Sequence, residues 1–332
     1  MRARTPVPVS VPPRAAAPAR TAVPARARGR LLRVGLALIA LAGGCAARFP
    51  VDGQRALERV RHQVSLGPRV PGMPGHDATR DWIAAELARL GAEVERQSFT
   101  DSTLGHPLAL TNLIGRYGPR GPGIRRIALL AHWDTRPWCD QDPDRAHRLD
   151  PLPGANDGGS GVAVLLEVAE ALHRRAPRVG VDLVFVDGED QAPATEPDHY
   201  SLGARYYAAR LRAGPPEARP VATFVFDMVG DRDLNIAPEA QSMQRAANLA
   251  ELVLAGARAT GGKHFTAEPR YTLIDDQVPL LDAGLPAVDI VDFDYPAWHT
   301  HLDLPDQVSA ESLAEVANVA LWLTYRSPLA GP

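Results

Sequence analysis

Residues 181–190 have the sequence VDLVFVDGED. A run of Val, Leu and Phe that breaks at a glycine is typical of a buried strand. Such a strand delivers two adjacent carboxylates, Glu189 and Asp190, to its carboxyl end, where open α/β sheets bind their ligands. Because adjacent side chains point in different directions, one can bind a metal while the other faces a substrate as a general base. An isolated acidic pair more often belongs to a solvated turn, so the rest of the chain decides.

Strand patterns alternate with amphipathic helix patterns through most of the 332-residue chain. The other predicted strands are residues 92–99, 110–117, 124–132, 221–226 and 285–291. The predicted helices are residues 51–66, 76–90, 162–174, 202–211, 242–259 and 310–325. This alternation, without an interdomain linker, predicts one α/β domain with a largely parallel sheet covered by helices on both faces.

The first 47 residues form a candidate export segment with a short tether. Residues 1–30 are rich in Pro, Ala and Arg, and the apolar run at 34–42 is too short for a mature transmembrane helix. The sequence AGGC that ends at Cys45 resembles a bacterial lipoprotein processing site, which predicts lipidation of that cysteine. A plain cleaved signal or an uncleaved anchor is the alternative. Each predicts export, to the periplasm or cell envelope, and membrane attachment follows from the lipid or the anchor.

Charge and cysteine content restrict the kinds of partner. Residues 1–44 contain eight arginines and no acidic residue, so their removal changes the formal charge from −3 to −11. An acidic domain of this kind argues against nucleic-acid binding, which requires a basic surface. If Cys45 is lipidated, Cys139 has no partner, and we predict no structural disulfide.

Five candidate metal ligands follow predicted strands or lie in adjoining loops: His132, Asp157, Asp190, Asp227 and His299. Each alone has an ordinary structural explanation, such as a core histidine, a helix cap or a turn former. Together they fall at the one sheet edge where sites form, which predicts a metal site. The polar loop 136–153 adjoins them, and loops of this length in compact domains are usually functional.

Several motifs resemble the M28 zinc aminopeptidase-like proteins and, among them, the glutaminyl-peptide cyclotransferases (glutaminyl cyclases). They are HWD at 132–134, GANDGGSG at 154–161, DGED at 187–190, YSLG at 200–203, FD at 226–227, DD at 275–276 and WHT at 298–300. The resemblance implies that residues 48–332 form a catalytic domain, a three-layer sandwich whose mixed, mostly parallel sheet lies between helices. It also implies a zinc ion bound by Asp157, Asp190 and His299, with Glu189 as acid/base. In the two-metal peptidases of the family, His132 and Asp227 would complete a second site.

The resemblance leaves two reactions open for the same residues, both on peptide or protein N-termini. In a cyclase, one zinc polarises the γ-carbonyl of an N-terminal glutamine and Glu189 transfers a proton from the α-amine to departing ammonia. In an aminopeptidase, two metals hold a hydroxide that attacks the first peptide bond. A non-catalytic surface lipoprotein is a third possibility, and the complete set of competent ligands argues against it.

Residues around the site favour the cyclase. Trp298, directly before His299, resembles the aromatic wall of cyclases, and Asp275 resembles their substrate-binding acid. The candidate catalytic residues are Glu189, Asp227 and Asp275. The departures are Ile274 and Gln277 beside the acidic pair, an aspartate at 190 where glutamate is commoner, and no tryptophan in the loop to residue 200.

Overall fold

The computed structural model describes residues 49–193, 195–196 and 199–331. The predicted export segment, residues 1–47, and its Cys45 lie outside the described residues, so both stay predictions. The described residues belong to one compact unit, residues 45–332. Within the described ranges, no helix combines the length and the apolar character needed to cross a bilayer.

The described part of the chain contains six strands and eight α-helices. The strands are β1 (Glu93–Asp101), β2 (Leu108–Tyr117), β3 (Arg126–His132), β4 (Gly180–Val186), β5 (Ala222–Asp227) and β6 (Ala287–Val291). The helices are α1 (Gly53–Ser65), α2 (Pro74–Arg89), α3 (Ser160–Arg174), α4 (Leu202–Ala213), α5 (Ala240–Arg245), α6 (Ala247–Thr260), α7 (Gln277–Asp282) and α8 (Ala310–Tyr325).

The strands form one mixed sheet in the order β1-β2-β4-β3-β5-β6. β2 pairs antiparallel with β1 and β4, while β4, β3, β5 and β6 are parallel neighbours. The register places His132 opposite Val186 and Asp227 opposite Val291. The carboxyl ends of the four parallel strands therefore meet at one edge of the sheet, which is where α/β folds place their sites.

The sheet is covered on both faces. α3 packs on β3, β4 and β5, with α1 and α8 against it, and α4 and α7 cover the other face. All seven residues of β3 and all seven of β4 are buried, as strands between two helical layers require. The predicted α/β architecture, a mixed and mostly parallel sheet between helices, is confirmed.

Two helix predictions differ from the structure. The predicted helix 242–259 is two helices, α5 and α6, which are separated at Ala246, where φ is −146°. Alanine favours helices, so the sequence contains no local signal for this break. Both helices contact β6, but α5 also contacts α7, whereas α6 packs on α8. Helix α7 was not predicted, because six residues are too few for a recognisable helical period.

Candidate active site

The sheet edge brings all five predicted metal ligands together. His132 and Asp227 end β3 and β5, Asp157 precedes α3, and Asp190 and His299 follow β4 and β6. They form two groups that share Asp157: His132 with Asp157 and Asp227, and Asp157 with Asp190 and His299. Within each group, the potential ligand atoms lie within 4.8 Å of one another.

The group of Asp157, Asp190 and His299 fits a zinc ion. Zinc bonds of about 2.0–2.2 Å in tetrahedral geometry separate two ligand atoms by about 3.3–3.6 Å. Nε2 of His299 lies 3.3 Å from Oδ2 of Asp190 and 3.6 Å from Oδ2 of Asp157. Oδ2 of Asp190 is buried and has no hydrogen-bond partner among the described residues, whereas a buried carboxylate oxygen normally has one. Two carboxylates and one imidazole are also a ligand set that zinc accepts.

The second group is tighter. Nε2 of His132 lies 3.2 Å from Oδ1 of Asp157 and forms a 3.0 Å hydrogen bond with Oδ1 of Asp227. These residues could hold a second ion. Their separation is equally that of a directly hydrogen-bonded pair that needs no metal.

A tight turn places Asp157. Gly158 has φ +73°, and a Cβ atom there would lie 2.4 Å from the backbone oxygen of Asp134. The backbone N–H groups of Asn156 and Asp157 donate to the Asp303 carboxylate, at 2.8 and 3.2 Å. Burial and the nearby Asp157 charge raise the pKa of Asp303 to about 7. Glycine is therefore required at 158, and Asp303 holds the ligand turn in place.

A second carboxylate, Asp134, fixes the loop after β4. It accepts the backbone N–H groups of Glu189 and Asp190, at 3.0 and 3.2 Å, and the side-chain amide of Gln191 at 2.8 Å. The sequence motif HWD contains Asp134 without indicating this role. The two carboxylates of the opening stretch thus have a defined backbone position before any ligand binds.

Backbone strain is concentrated at the site. Among the described residues, three other than glycine have positive φ: Ser201 (59°), Met228 (47°) and His299 (53°). His299 is a candidate ligand, Met228 follows Asp227, and the N–H of Ser201 donates to the carbonyl of Glu189 at 2.9 Å. Such conformations cost on the order of 1–3 kcal/mol each and occur preferentially at functional sites.

A cavity of about 290 Å³ opens onto the two ligand groups. Glu189, Asp275 and Trp298 line it, and its described lining contains no Lys or Arg. The ring of Trp298 stacks on His299 with centroids 3.9 Å apart and lies 4.9 Å from the ring of Phe293, forming an aromatic wall. A larger cavity of about 440 Å³ lies elsewhere, at the amino ends of β3 and β4, and contains none of the candidate ligands.

Glu189, Asp275 and Asp276 resist ionisation while no cation is bound. Burial, and then the charge of Asp190, raises the pKa of Glu189 well above its usual value. Burial and the charge of Asp227 raise the pKa of Asp275 to about 7, and burial with the charge of Asp275 raises the pKa of Asp276 well above its usual value. Burial opposes protonation of His299, but nearby carboxylates raise its pKa to about 9. A bound cation would relieve this concentration of negative charge.

Two residues beside the ligands were not predicted from the sequence. Arg136 donates to Asp190, and Asp140 lies behind His299. Both belong to the loop 136–153, whose length indicated a function without indicating which residues perform it. The predicted catalytic, metal-binding and substrate-binding residues all lie at the cavity or in its ligand groups, and their individual roles stay predictions. The predicted lipidation residue, Cys45, lies outside the described residues.

The fold and these motifs have known counterparts. The model of peptidase family M28 matches residues 112–324, about two thirds of the chain. The chain belongs to peptidase family M28. The glutaminyl-peptide cyclotransferase-like protein of Bos taurus is 27% identical over 260 residues, which are 71% of this chain and 66% of that protein. The glutaminyl-peptide cyclotransferase of Bos taurus is 25% identical over 285 residues, which are 76% of this chain and 77% of that protein.

Solved structures of a glutaminyl cyclase and of two exopeptidases resemble the chain over most of its length. A glutaminyl cyclase of Bacteroides thetaiotaomicron bound to N-acetylhistamine has a TM-score of 0.78 and 32% identity, covering 84% of this chain and 99% of that chain. A leucine aminopeptidase precursor of the same organism has a TM-score of 0.79 and 32% identity, covering 83% of this chain and 97% of that chain. A Zn-dependent exopeptidase of Parabacteroides distasonis has a TM-score of 0.79 and 33% identity, covering 84% of this chain and 100% of that chain. The M28 assignment and these structures support zinc as the metal, and their similarity does not separate cyclase from aminopeptidase.

Proposed function

We propose that this M28 enzyme is a glutaminyl-peptide cyclotransferase, which converts the N-terminal glutamine of peptides to pyroglutamate with release of ammonia. One observation carries the proposal. Glu189, Asp275 and the Trp298 ring line the same cavity as the Asp157–Asp190–His299 group. An acid/base, an acceptor for the substrate amide and an aromatic wall thus surround one small volume beside the metal ligands.

The chemistry follows from these positions. Zinc held by Asp157, Asp190 and His299 would supply a Lewis acid for the γ-carbonyl oxygen of the glutamine. Glu189 accepts a proton from the α-amine as the amine nitrogen bonds to the carbonyl carbon of the γ-carboxamide, and donates that proton to the departing ammonia. One C–N bond forms and one breaks, and no water is consumed. A raised pKa suits Glu189 to both accepting and donating a proton near neutral pH.

We propose that one zinc per chain suffices. The hydrogen bond between His132 and Asp227 supports this, since it gives both residues a partner without a second ion. The nearby negative charge of Asp227 helps to keep Asp275 protonated, which would allow Asp275 to donate to the substrate as well as accept from it.

The competing function is a two-metal aminopeptidase, and the complete group of His132, Asp157 and Asp227 favours it. In that reaction Glu189 would deprotonate water for attack on the first peptide bond. Two zinc ions per chain, measured by elemental analysis of the purified protein, would favour this function over the cyclase.

The deciding experiment uses two peptides that differ only at the first residue, Gln or Leu. The zinc-loaded protein should release ammonia from the Gln peptide, lower its mass by one ammonia, and leave the Leu peptide intact. A Glu189→Gln variant is the control for contaminating activity. Release of free amino acids from either peptide, with no pyroglutamate, would refute the cyclase and support the aminopeptidase.

We also propose that the enzyme is exported and anchored through a lipid on Cys45, which would place its peptide substrates in the cell envelope. The support is the AGGC sequence that follows the apolar run 34–42. Labelling of the full chain with a fatty-acid analogue in a bacterial host tests this. A Cys45→Ser variant that labels as strongly as the wild type would contradict it.

A further inference from the structure

Arg136 lies behind the metal ligands. Its side chain is fully buried. Nε and Nη2 donate to the two carboxylate oxygens of Asp140, at 2.8 and 3.0 Å. Nη1 donates to Oδ1 of Asp190, to the carbonyl of Ala192 at 3.1 Å and to the hydroxyl of Tyr200 at 3.2 Å. One guanidinium therefore contacts a metal ligand and a second carboxylate at the same time.

The contact with Asp190 determines which of its oxygens is available to the metal. Oδ1 accepts from Arg136, whereas Oδ2 is buried, has no hydrogen-bond partner in the part of the chain that the structure describes, and lies 3.3 Å from Nε2 of His299. Arg136 thereby restricts Asp190 to a single donor oxygen and fixes its direction. A carboxylate without this contact could rotate or bind through both oxygens.

The contact with Asp140 acts on the other side of the site. Oδ1 of Asp140 lies 3.2 Å from Nδ1 of His299, a nitrogen with no assigned hydrogen bond among the described residues, so the carboxylate places its charge beside the ring. A negative charge at Nδ1 favours the tautomer with the proton on that nitrogen. Nε2, which faces Asp157 and Asp190, then keeps its lone pair for the metal.

We propose that Arg136 is a positioning residue of the zinc site, which sets zinc affinity by fixing the donor oxygen of Asp190 and, through Asp140, the donor nitrogen of His299. The proposal rests on the zinc site of the proposed function and is independent of whether the reaction is cyclisation or hydrolysis. The planar fork of arginine is essential to it, because a lysine ammonium supplies the same charge without paired, fixed donors for two carboxylates.

The test is the Arg136→Lys variant, which keeps the charge and removes the fork. Zinc affinity of the metal-free protein is measured by competition with a chromogenic chelator, without any peptide substrate. We expect affinity to fall by about 10- to 100-fold, the usual effect of removing a partner of a metal ligand. Asp140→Asn, which leaves the Asp190 contact in place, should weaken zinc binding by about 10-fold.

The matched control is Arg126→Lys. Arg126 is also buried and forks onto a buried carboxylate, that of Asp182, but it lies at the opposite end of β3. We expect this variant to lose stability to chemical unfolding as Arg136→Lys does, and to bind zinc like the wild type. The comparison separates an effect on the site from general loosening of the core.

Three results would overturn the inference: wild-type zinc affinity in Arg136→Lys, wild-type affinity in Asp140→Asn, or an equal loss in the Arg126→Lys control. If Arg136→Lys does not fold, Asp140→Asn decides alone. Absence of zinc binding by the wild type would refute the proposed metal site and this inference with it. Zinc binding without pyroglutamate formation would refute only the cyclase.

Discussion

Replacing Glu189 by glutamine removes the proposed proton carrier and keeps the shape of the side chain. The backbone at 189 is anchored on both sides, by the Asp134 carboxylate at 3.0 Å and by the N–H of Ser201 at 2.9 Å. The Glu189 carboxylate, in contrast, accepts no hydrogen bond from the described residues and is 8% exposed. The substitution therefore breaks none of the described hydrogen bonds, and its effect on rate reports on proton transfer.

The expected loss in kcat is about 10²- to 10⁴-fold, or about 2.7–5.4 kcal/mol of transition-state stabilisation. Stability should change in the opposite sense in the metal-free protein. Burial holds the folded-state pKa of Glu189 well above its ordinary value of 4.5, so the wild type loses stability as pH rises from that value through the raised pKa. The glutamine variant lacks this loss, and its advantage in melting temperature should grow with pH.

Initial rates of ammonia release from a Gln-initiated peptide, at saturating zinc, measure the first effect. Thermal unfolding of the metal-free proteins between pH 5 and 8 measures the second. Glu239→Gln is the matched control, because Glu239 is buried outside the cavity and accepts the N–H of Gln241 at 2.7 Å; it should lower stability and leave kcat unchanged. A Glu189→Gln enzyme with zinc bound and kcat within tenfold of the wild type would show that another group moves the proton.

Three further substitutions or modifications test other parts of the structure. Trp298→Ala should raise KM for the Gln peptide by about tenfold and leave the zinc content unchanged, because aromatic contacts contribute about 0.5–1.5 kcal/mol beyond burial. An unaltered KM would show that Trp298 does not contact the substrate. Gly158→Ala should lower the free energy of unfolding by more than about 1 kcal/mol and weaken zinc binding. The control is Gly67→Ala, which also has positive φ but has open space where the new Cβ would lie, so it should show only the cost of backbone strain. Equal effects of the two substitutions would contradict the proposed close contact. Burial raises the pKa of Cys139 to about 12. In protein lacking residues 1–47, Cys139 should therefore react with a thiol reagent at pH 8 about 10³-fold more slowly in the folded state than in the unfolded state. Comparable rates in the two states would contradict its burial.

Local sequence patterns were sufficient to predict the positions of the strands and the edge of the sheet at which the site lies. A strand that is buried on both faces has a largely apolar sequence, as in residues 181–186. Turns that need a positive φ are marked by glycines such as Gly158 and Gly188. The observed strand bounds differ from the predicted ones by at most two residues. Because parallel strands end at one edge, His132 and Asp227 could be placed together from the sequence, although 95 residues separate them along the chain.

Contacts made by irregular segments depended on the packing of the whole domain. The break at Ala246 has no local signal, and Arg136 contacts Asp190 across 54 residues from a loop without periodicity. The adjacent carboxylates Glu189 and Asp190 were recognisable in the sequence as a possible metal and proton-transfer site. Which oxygen of Asp190 faces the metal depends on a buried guanidinium, and three-dimensional packing alone places that charge, because no residue pattern encodes the direction of a long polar side chain.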